Sequence, residues 1–270
     1  MRMLRFGRRR STLPATIGPD LQAELDSGLG FMYPWRLTDA VTAPLIGPTL
    51  PSVHNTRAEL IEPAVRAALE AADPDARAID IGCHEGWFAH RLLEWGAREV
   101  IGIDVREVNI RRAELIRDHL GVPADRLRFA QASVYDLESE GKFDVVLMLG
   151  LIYHLENPIG AIRVARKLTR RVCAIESQLT RQTTPIRTGW GIPGEYTEEP
   201  ASWVARHEAP EEQEAQPLAA YGGVISLIPN KAAVLQAMSV AGFTDVTVPA
   251  AREHHDSQYR LGDRVVALGR

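Results

Sequence analysis

Cysteine is scarce in this chain: Cys83 and Cys173 are the only two in 270 residues. Both sit in apolar runs, which reads as a pair of buried thiols in a reducing compartment. Two thiols are too few for a disulfide framework or a cysteine-built metal cluster. Long apolar runs are missing as well. No stretch approaches the roughly 20 residues that cross a bilayer, and the basic residues 1–10 lead into no apolar secretory core. These absences predict a soluble, cytoplasmic protein with no membrane partner. Positive charge is not in excess either: 31 Lys and Arg stand against 35 Asp and Glu, a net charge of −4. A surface that draws its affinity from phosphate contacts is usually basic, so nucleic acid is disfavoured as a partner. What is present is a 45% hydrophobic composition, ample for a core at this length.

Residues 1–55 hold Pro14, Pro19, Pro34, Pro44, Pro48 and Pro51, too many for long helices, and read as an irregular arm. Phe31, Tyr33 and Trp35 form an aromatic knot within it that should pack onto something. Residues 56–270 read as the main domain. Thr56 and Glu59 have the spacing of a capping box, and Leu60, Ile61, Val65, Ala68 and Leu69 follow at helical spacing, with Pro63 as a kink or the true start. Strand-like runs at 78–81, 99–103, 127–131, 143–149 and 172–175, most of them nearly continuous apolar stretches, then alternate with helical patterns, the first two closed by Gly96 and Gly121. Such alternation predicts an α/β fold, a doubly wound, mostly parallel sheet. Residues 178–228 interrupt it as a lid-like insertion before the last helix, which Asn230 caps and Gly242 stops. Two strands, near 244–248 and 264–268, should end the chain as antiparallel neighbours.

The most informative stretch is 78–88, Ala-Ile-Asp-Ile-Gly-Cys-His-Glu-Gly-Trp-Phe, where a strand ends in a glycine-bearing turn and feeds a helix. In open α/β sheets ligands bind beyond the carboxyl ends of the strands. Counted from Gly82, the second and third glycines of a dinucleotide fingerprint would fall on His84 and Trp87, so a ligand without pyrophosphate fits better. No Gly-Lys-Ser/Thr follows, which excludes a phosphate-binding P-loop.

Asp80-x-Gly82-Cys83-x-x-Gly86 resembles motif I of class I S-adenosylmethionine-dependent methyltransferases. The resemblance implies S-adenosyl-L-methionine as cofactor, held by Asp80, Gly82, Cys83, His84, Gly86, Asp104, Val105, Ser133, Val134, Leu149 and Gly150. Asp104, ending the next strand, would accept from both ribose hydroxyls. His84 and Glu85 depart from the commoner small residues of that loop. Ser133 stands where many relatives carry an adenine-binding aspartate.

After the fourth strand, residues 149–158 resemble the Gly-Leu-x-Tyr-His-Leu segment of a subgroup that methylates sugars and natural products. The same subgroup includes the carboxymethyltransferases of tRNA wobble uridine. The implied activity is O-methylation of a small-molecule hydroxyl. The alternatives are tRNA modification, for which the arginines of residues 1–10 speak, and a donor-binding regulator without catalysis. His154 is the candidate general base because imidazole titrates near pH 7, and Tyr153 could orient the acceptor. Glu176, a carboxylate emerging from the fifth strand, is either functional or paired. His254, His255 and Asp256 could be weighed as a metal trio, but adjacent residues rarely face one ion, so a solvated loop and no metal are expected. Arg260 precedes the last strand and would meet an anionic acceptor or cover a helix end. Arm and insertion, with Trp190 and Trp203, should together wall the acceptor pocket. Glu195, Glu198, Glu199, Glu208, Glu211 and Glu212 would repel a phosphate backbone there.

Overall fold

Residues whose neighbours along the strand face opposite sides must be apolar throughout if both sides are covered, and that is how the central strands are built. The computed structural model describes residues 13–181, 200–207, 209 and 225–270. Its strands are β1 (Arg77–Ile81), β2 (Glu99–Asp104), β3 (Leu127–Gln131), β4 (Phe143–Leu149), β5 (Thr169–Gln178), β6 (Trp203–His207), β7 (Ile225–Pro229) and β8 (Arg264–Gly269). Six of them form one sheet in the order β3-β2-β1-β4-β5-β8, parallel except for β8, which runs antiparallel to β5. Val145 and Leu147 of β4 enter one hydrophobic cluster, and Val146 and Met148 enter the other. The expected doubly wound sheet with an antiparallel last strand is therefore the fold of this chain.

The helices are α1 (Pro19–Asp26), α2 (Leu50–Glu70), α3 (Trp87–Trp95), α4 (Glu107–His119), α5 (Pro158–Leu168), α6 (Lys231–Val240) and a single turn α7 (Ser257–Arg260). The cluster holding Val145 includes apolar residues of α2, α3 and α4, and the one holding Val146 those of α5 and α6, so the sheet lies between two helical layers. Asn230 caps α6 as expected, its side-chain oxygen accepting from the Ala233 N–H at 2.9 Å. None of the described helices is long and apolar enough to cross a membrane. Cys83 and Cys173 are both buried and free.

Three local expectations are corrected. Helix α2 starts at Leu50, not Thr56, with Pro51 in its first turn where a missing N–H costs nothing. Thr56 caps nothing: its hydroxyl accepts from the Asp256 N–H at 2.8 Å. Pro63 lies inside the helix on its exposed side, where water can meet the carbonyl it leaves unbonded. The early segment is also less irregular than its prolines imply, since α1 begins on Pro19 and Phe31, Tyr33, Trp35 and Leu37 are buried in the main cluster. The strand expected at 244–248 is reduced to a single antiparallel bridge, Thr247 to Leu268. Asp245 takes φ +49°, a left-handed geometry that interrupts the pairing between the hydrogen-bonded pairs Thr244 with Arg270 and Thr247 with Leu268.

Of the insertion, β6 and β7 are described and pair as an antiparallel ribbon. The Leu227 N–H donates to the Leu155 carbonyl at 3.1 Å, which ties this ribbon to the turn after β4. Trp203 is half-buried in β6, whereas Trp190 and the six glutamates singled out above lie outside the described residues, as do the arginines of residues 1–10.

Candidate active site

Strand order reverses between β1 and β4: from β1 the chain moves outward through β2 and β3, then returns to place β4 on the other side. Two glycines mark that point. Gly82 follows β1 and Gly150 follows β4, each at φ +75°, a backbone that a side chain would strain. Above them opens a cleft of about 400 Å³. The sequence-predicted Gly82, His84, Asp104, Val105, Ser133, Val134, Leu149, Gly150, Tyr153 and His154 all line it.

The remaining motif residues sit behind its wall. Cys83 is buried, its sulfur near the backbone of Gly102. Gly86 is a packing position, because a Cβ there would collide with the Phe129 ring. Asp80 is buried beneath the loop, and burial first, then the Asp104 charge, push its carboxyl up to about 7. These three support the loop and do not line the cleft.

Asp104 holds the loop together. Its Oδ2 accepts from the His84 N–H at 3.0 Å, and its Oδ1 from the Arg106 N–H at 2.9 Å and the Asn109 amide at 3.1 Å. A carboxylate offers about four lone-pair directions, so roughly one, on Oδ2, is left for a ligand. The expectation that it takes both ribose hydroxyls is thus narrowed to one strong bond. His84 sits at φ +50° with both ring nitrogens buried and without a hydrogen-bond partner among the described residues. Its Nδ1 lies 3.6 Å from Glu85 Oε1, too long for a hydrogen bond, so the ring keeps hydrogen-bonding capacity at the cleft wall. Ser133 uses its hydroxyl to accept from the Tyr135 N–H at 3.3 Å, capping a short turn.

Glu85, the other departure from small loop residues, has a structural reason. Its fully buried carboxylate accepts the Met32 N–H at 3.0 and 3.1 Å and lies 3.6 Å from an Arg112 nitrogen. The early segment is thereby clasped to the motif I loop, and Met32 and Tyr33 become part of the cleft. Tyr33 stacks on Trp87 at 5.6 Å with nearly parallel rings. Phe31 and Trp35, expected in the same wall, are core residues instead.

Glu176 is paired, not poised for chemistry. It is fully buried, with Arg57 at 2.8 Å, Arg264 at 3.0 Å and the Tyr259 hydroxyl donating at 2.9 Å. Burial would raise its carboxyl, but Arg57 and then Arg264 hold it below the ordinary range. The arginines, not the glutamate, line the cleft. Arg57 and His54 were not read as site residues from the sequence. The available signal was spacing: Arg57 shares the i, i+4 series with Ile61, Val65 and Leu69, so a cation was placed on the apolar face of a helix. His54 is buried, and burial, reinforced by the Arg57 charge, pushes it down to about 2, so it is neutral.

The trio His254, His255 and Asp256 does not form. Asp256 caps α7, accepting from the Gln258 N–H at 2.9 Å, and both imidazoles turn to Glu59 of α2, at 2.9 and 3.2 Å. His255 is buried, so the loop is not simply solvated. Its Nδ1 accepts from the Arg252 N–H at 2.9 Å, which places the ring proton on Nε2, where a metal would have to bind. The cluster is an interhelical clasp. Arg260 donates to the His255 carbonyl at 3.1 Å and so covers a turn instead of meeting an acceptor.

A doubly wound sheet with an acid at the end of β2, a glycine turn after β1 and a polar wall after β4 defines a nucleotide-cosubstrate fold. The chain belongs to the methyltransferase domain family, whose model matches residues 53–248. Among curated proteins it is similar to the tRNA U34 carboxymethyltransferase of Methylococcus capsulatus, 28% identical over 145 residues, 48% of this chain and 43% of that protein. The Campylobacter jejuni protein of the same description is 35% identical over 85 residues, 31% of this chain and 28% of that protein. The chain thus spans less than half of these relatives' length. Among solved structures, the N-terminal domain of EvdMO1 with SAH bound shares the fold at TM-score 0.68 and 20% identity, covering 95% of this chain and 98% of that one.

Proposed function

We propose that this chain is an S-adenosylmethionine-dependent methyltransferase acting on a hydroxyl of a sugar or natural product. The observation that carries the reading is the cleft at the β1/β4 switch point, whose lining brings together Asp104, His84, Tyr153 and His154. Asp104 Oδ2, the bare nitrogens of His84 and the backbone at Gly82, Val134 and Leu149 would hold the donor. Bound there, it supplies an electrophilic methyl on a sulfonium sulfur.

The protein's task is then alignment and proton removal. Holding the acceptor oxygen at near-attack distance contributes on the order of 7–11 kcal/mol. Tyr153 orients the acceptor, and His154 takes the hydroxyl proton as the new oxygen–carbon bond forms and the sulfur–carbon bond breaks, leaving a neutral thioether. The net charge of −4 favours a small acceptor over a phosphate backbone. A solved relative was crystallised in the presence of SAH and D-fucose. The curated relatives favour a second reading, modification of tRNA, although they align over less than half of their length.

Transfer of labelled methyl from S-adenosylmethionine, with product masses read on a panel of hexosides and on bulk tRNA, tests the choice. The reading expects methyl ethers of the hexosides and unlabelled tRNA. Label on tRNA alone overturns it in favour of the second.

A further inference from the structure

We propose that the methyl acceptor is acidic: a carboxylate it carries is bound by Arg264 and Arg57 at the β4–β8 side of the cleft. This rests on the small-molecule methyltransferase reading and names the chemical class of its substrate.

The charge count in this wall does not close. Arg57 and Arg264 have side chains 5% and 13% exposed and share a single carboxylate, Glu176, which is 0% exposed. Guanidinium groups stay charged even when buried, so one positive charge is left over. Among the described residues, the neighbouring acids do not supply the balance. Asp263 is engaged by Arg181 at 2.6 Å and Asp256 caps α7, while Asp80, which feels the Arg57 charge, is pushed by burial up to about 7 and supplies only part of a charge at neutral pH. A buried cation without its counter-charge is costly, and a cleft that keeps one is matched to an anion.

Placement separates this anion from the donor. Asp104 ends β2, and Arg264 begins β8, which is antiparallel, so both stand at the same sheet edge four strands apart in the order β2-β1-β4-β5-β8. That is ~19 Å between the two backbones at the usual strand spacing, and the guanidinium groups of Arg57 and Arg264 meet on Glu176 of β5, three strands from Asp104. Polar atoms converge on the acceptor side. A Cβ built on Gly150 would stand 3.3 Å from Arg57 Nη2 and 3.6 Å from the Tyr153 hydroxyl, and the Arg264 guanidinium lies 5.8 Å from the centre of the Tyr153 ring. Arg264 spends Nε on Gln258 and Nη1 on Glu176; its Nη2 donates to nothing among the described residues. Such a half-used fork at a cleft wall is suited to a carboxylate.

Calorimetric titration of glucuronate and of glucose into the SAH-saturated protein tests this. Glucuronate should bind at least tenfold tighter than glucose. Arg264→Gln should erase that preference with SAH affinity unchanged, and Arg264→Lys, which keeps a counter-charge for Glu176, should weaken glucuronate at least threefold. Equal binding of the two sugars, binding of neither, or an SAH affinity that falls in Arg264→Lys would overturn the inference. So would tRNA displacing glucuronate at low salt. A wild-type protein that does not bind SAH would defeat the methyltransferase reading itself, a different failure.

Discussion

Asp80 shows at single-residue scale what the motif loop costs the fold. It is 3% exposed, and Oδ2 has no partner among the described residues. With its carboxyl pushed up from 3.8 to about 7 by burial and by Asp104, the native state keeps a proton that the unfolded chain releases. Stability from this group is complete below pH 4 and is lost as pH rises through 7, a loss of about 4 kcal/mol at most. Asp80→Asn should remove that dependence, so its stability relative to wild type, read by urea unfolding, should climb between pH 4 and 8. Glu176 works in the opposite sense, because it neutralises buried arginines. Glu176→Gln should cost about 3–5 kcal/mol in the same measurement, leaving two guanidinium groups with no carboxylate between them. His154 makes a prediction about rate: His154→Ala should lower turnover by about 10²–10⁴ while donor affinity holds. Equal losses in both would assign it to the scaffold.

Elements were legible where their cause is local and became misleading where it is not. The strands β1, β2, β4 and much of β5 could be placed because a strand covered on both faces must be apolar at nearly every position, while the edge strand β3 keeps Arg128 and Gln131 exposed. Gly96 and Gly121 marked helix ends because each takes positive φ there, +121° and +67°. The start of α2 was misread because the Thr56 hydroxyl, which suits a cap, is used instead by Asp256, 200 residues away in sequence. The strand near 244–248 is irregular for a backbone reason, the left-handed Asp245 between its paired residues Thr244 and Thr247. At Gly86 the glycine-bearing turn and the packing of the sheet meet. Its φ is +80°, and a Cβ would strike Phe129 of β3. Gly86→Ala should therefore cost about 1–3 kcal/mol of stability from overpacking, with added strain from the left-handed backbone. A variant as stable as wild type in thermal unfolding would show that the loop has room to shift.

For the molecule as a whole, the motif I loop, Asp104 and the Tyr153–His154 pair were visible in the sequence and the arginine wall was not. Gly82, His84 and Asp104 come from one βαβ unit, so their spacing records their proximity. Arg57, Glu176, Tyr259 and Arg264 come from three distant parts of the chain, joined by contacts such as Arg57 to Tyr259, 202 residues apart. Met32 is tied to the cleft by Glu85, 53 residues on, and by His54, links that spacing cannot show. We propose that this cleft holds S-adenosylmethionine with Asp104 as its anchor. Calorimetric titration of S-adenosylmethionine into the wild type and Asp104→Ala tests it directly. Loss of one hydrogen bond to a charged group, about 1.5–3 kcal/mol, should weaken binding by roughly 10- to 150-fold. Equal affinities in the two proteins, or no binding to the wild type, would contradict it.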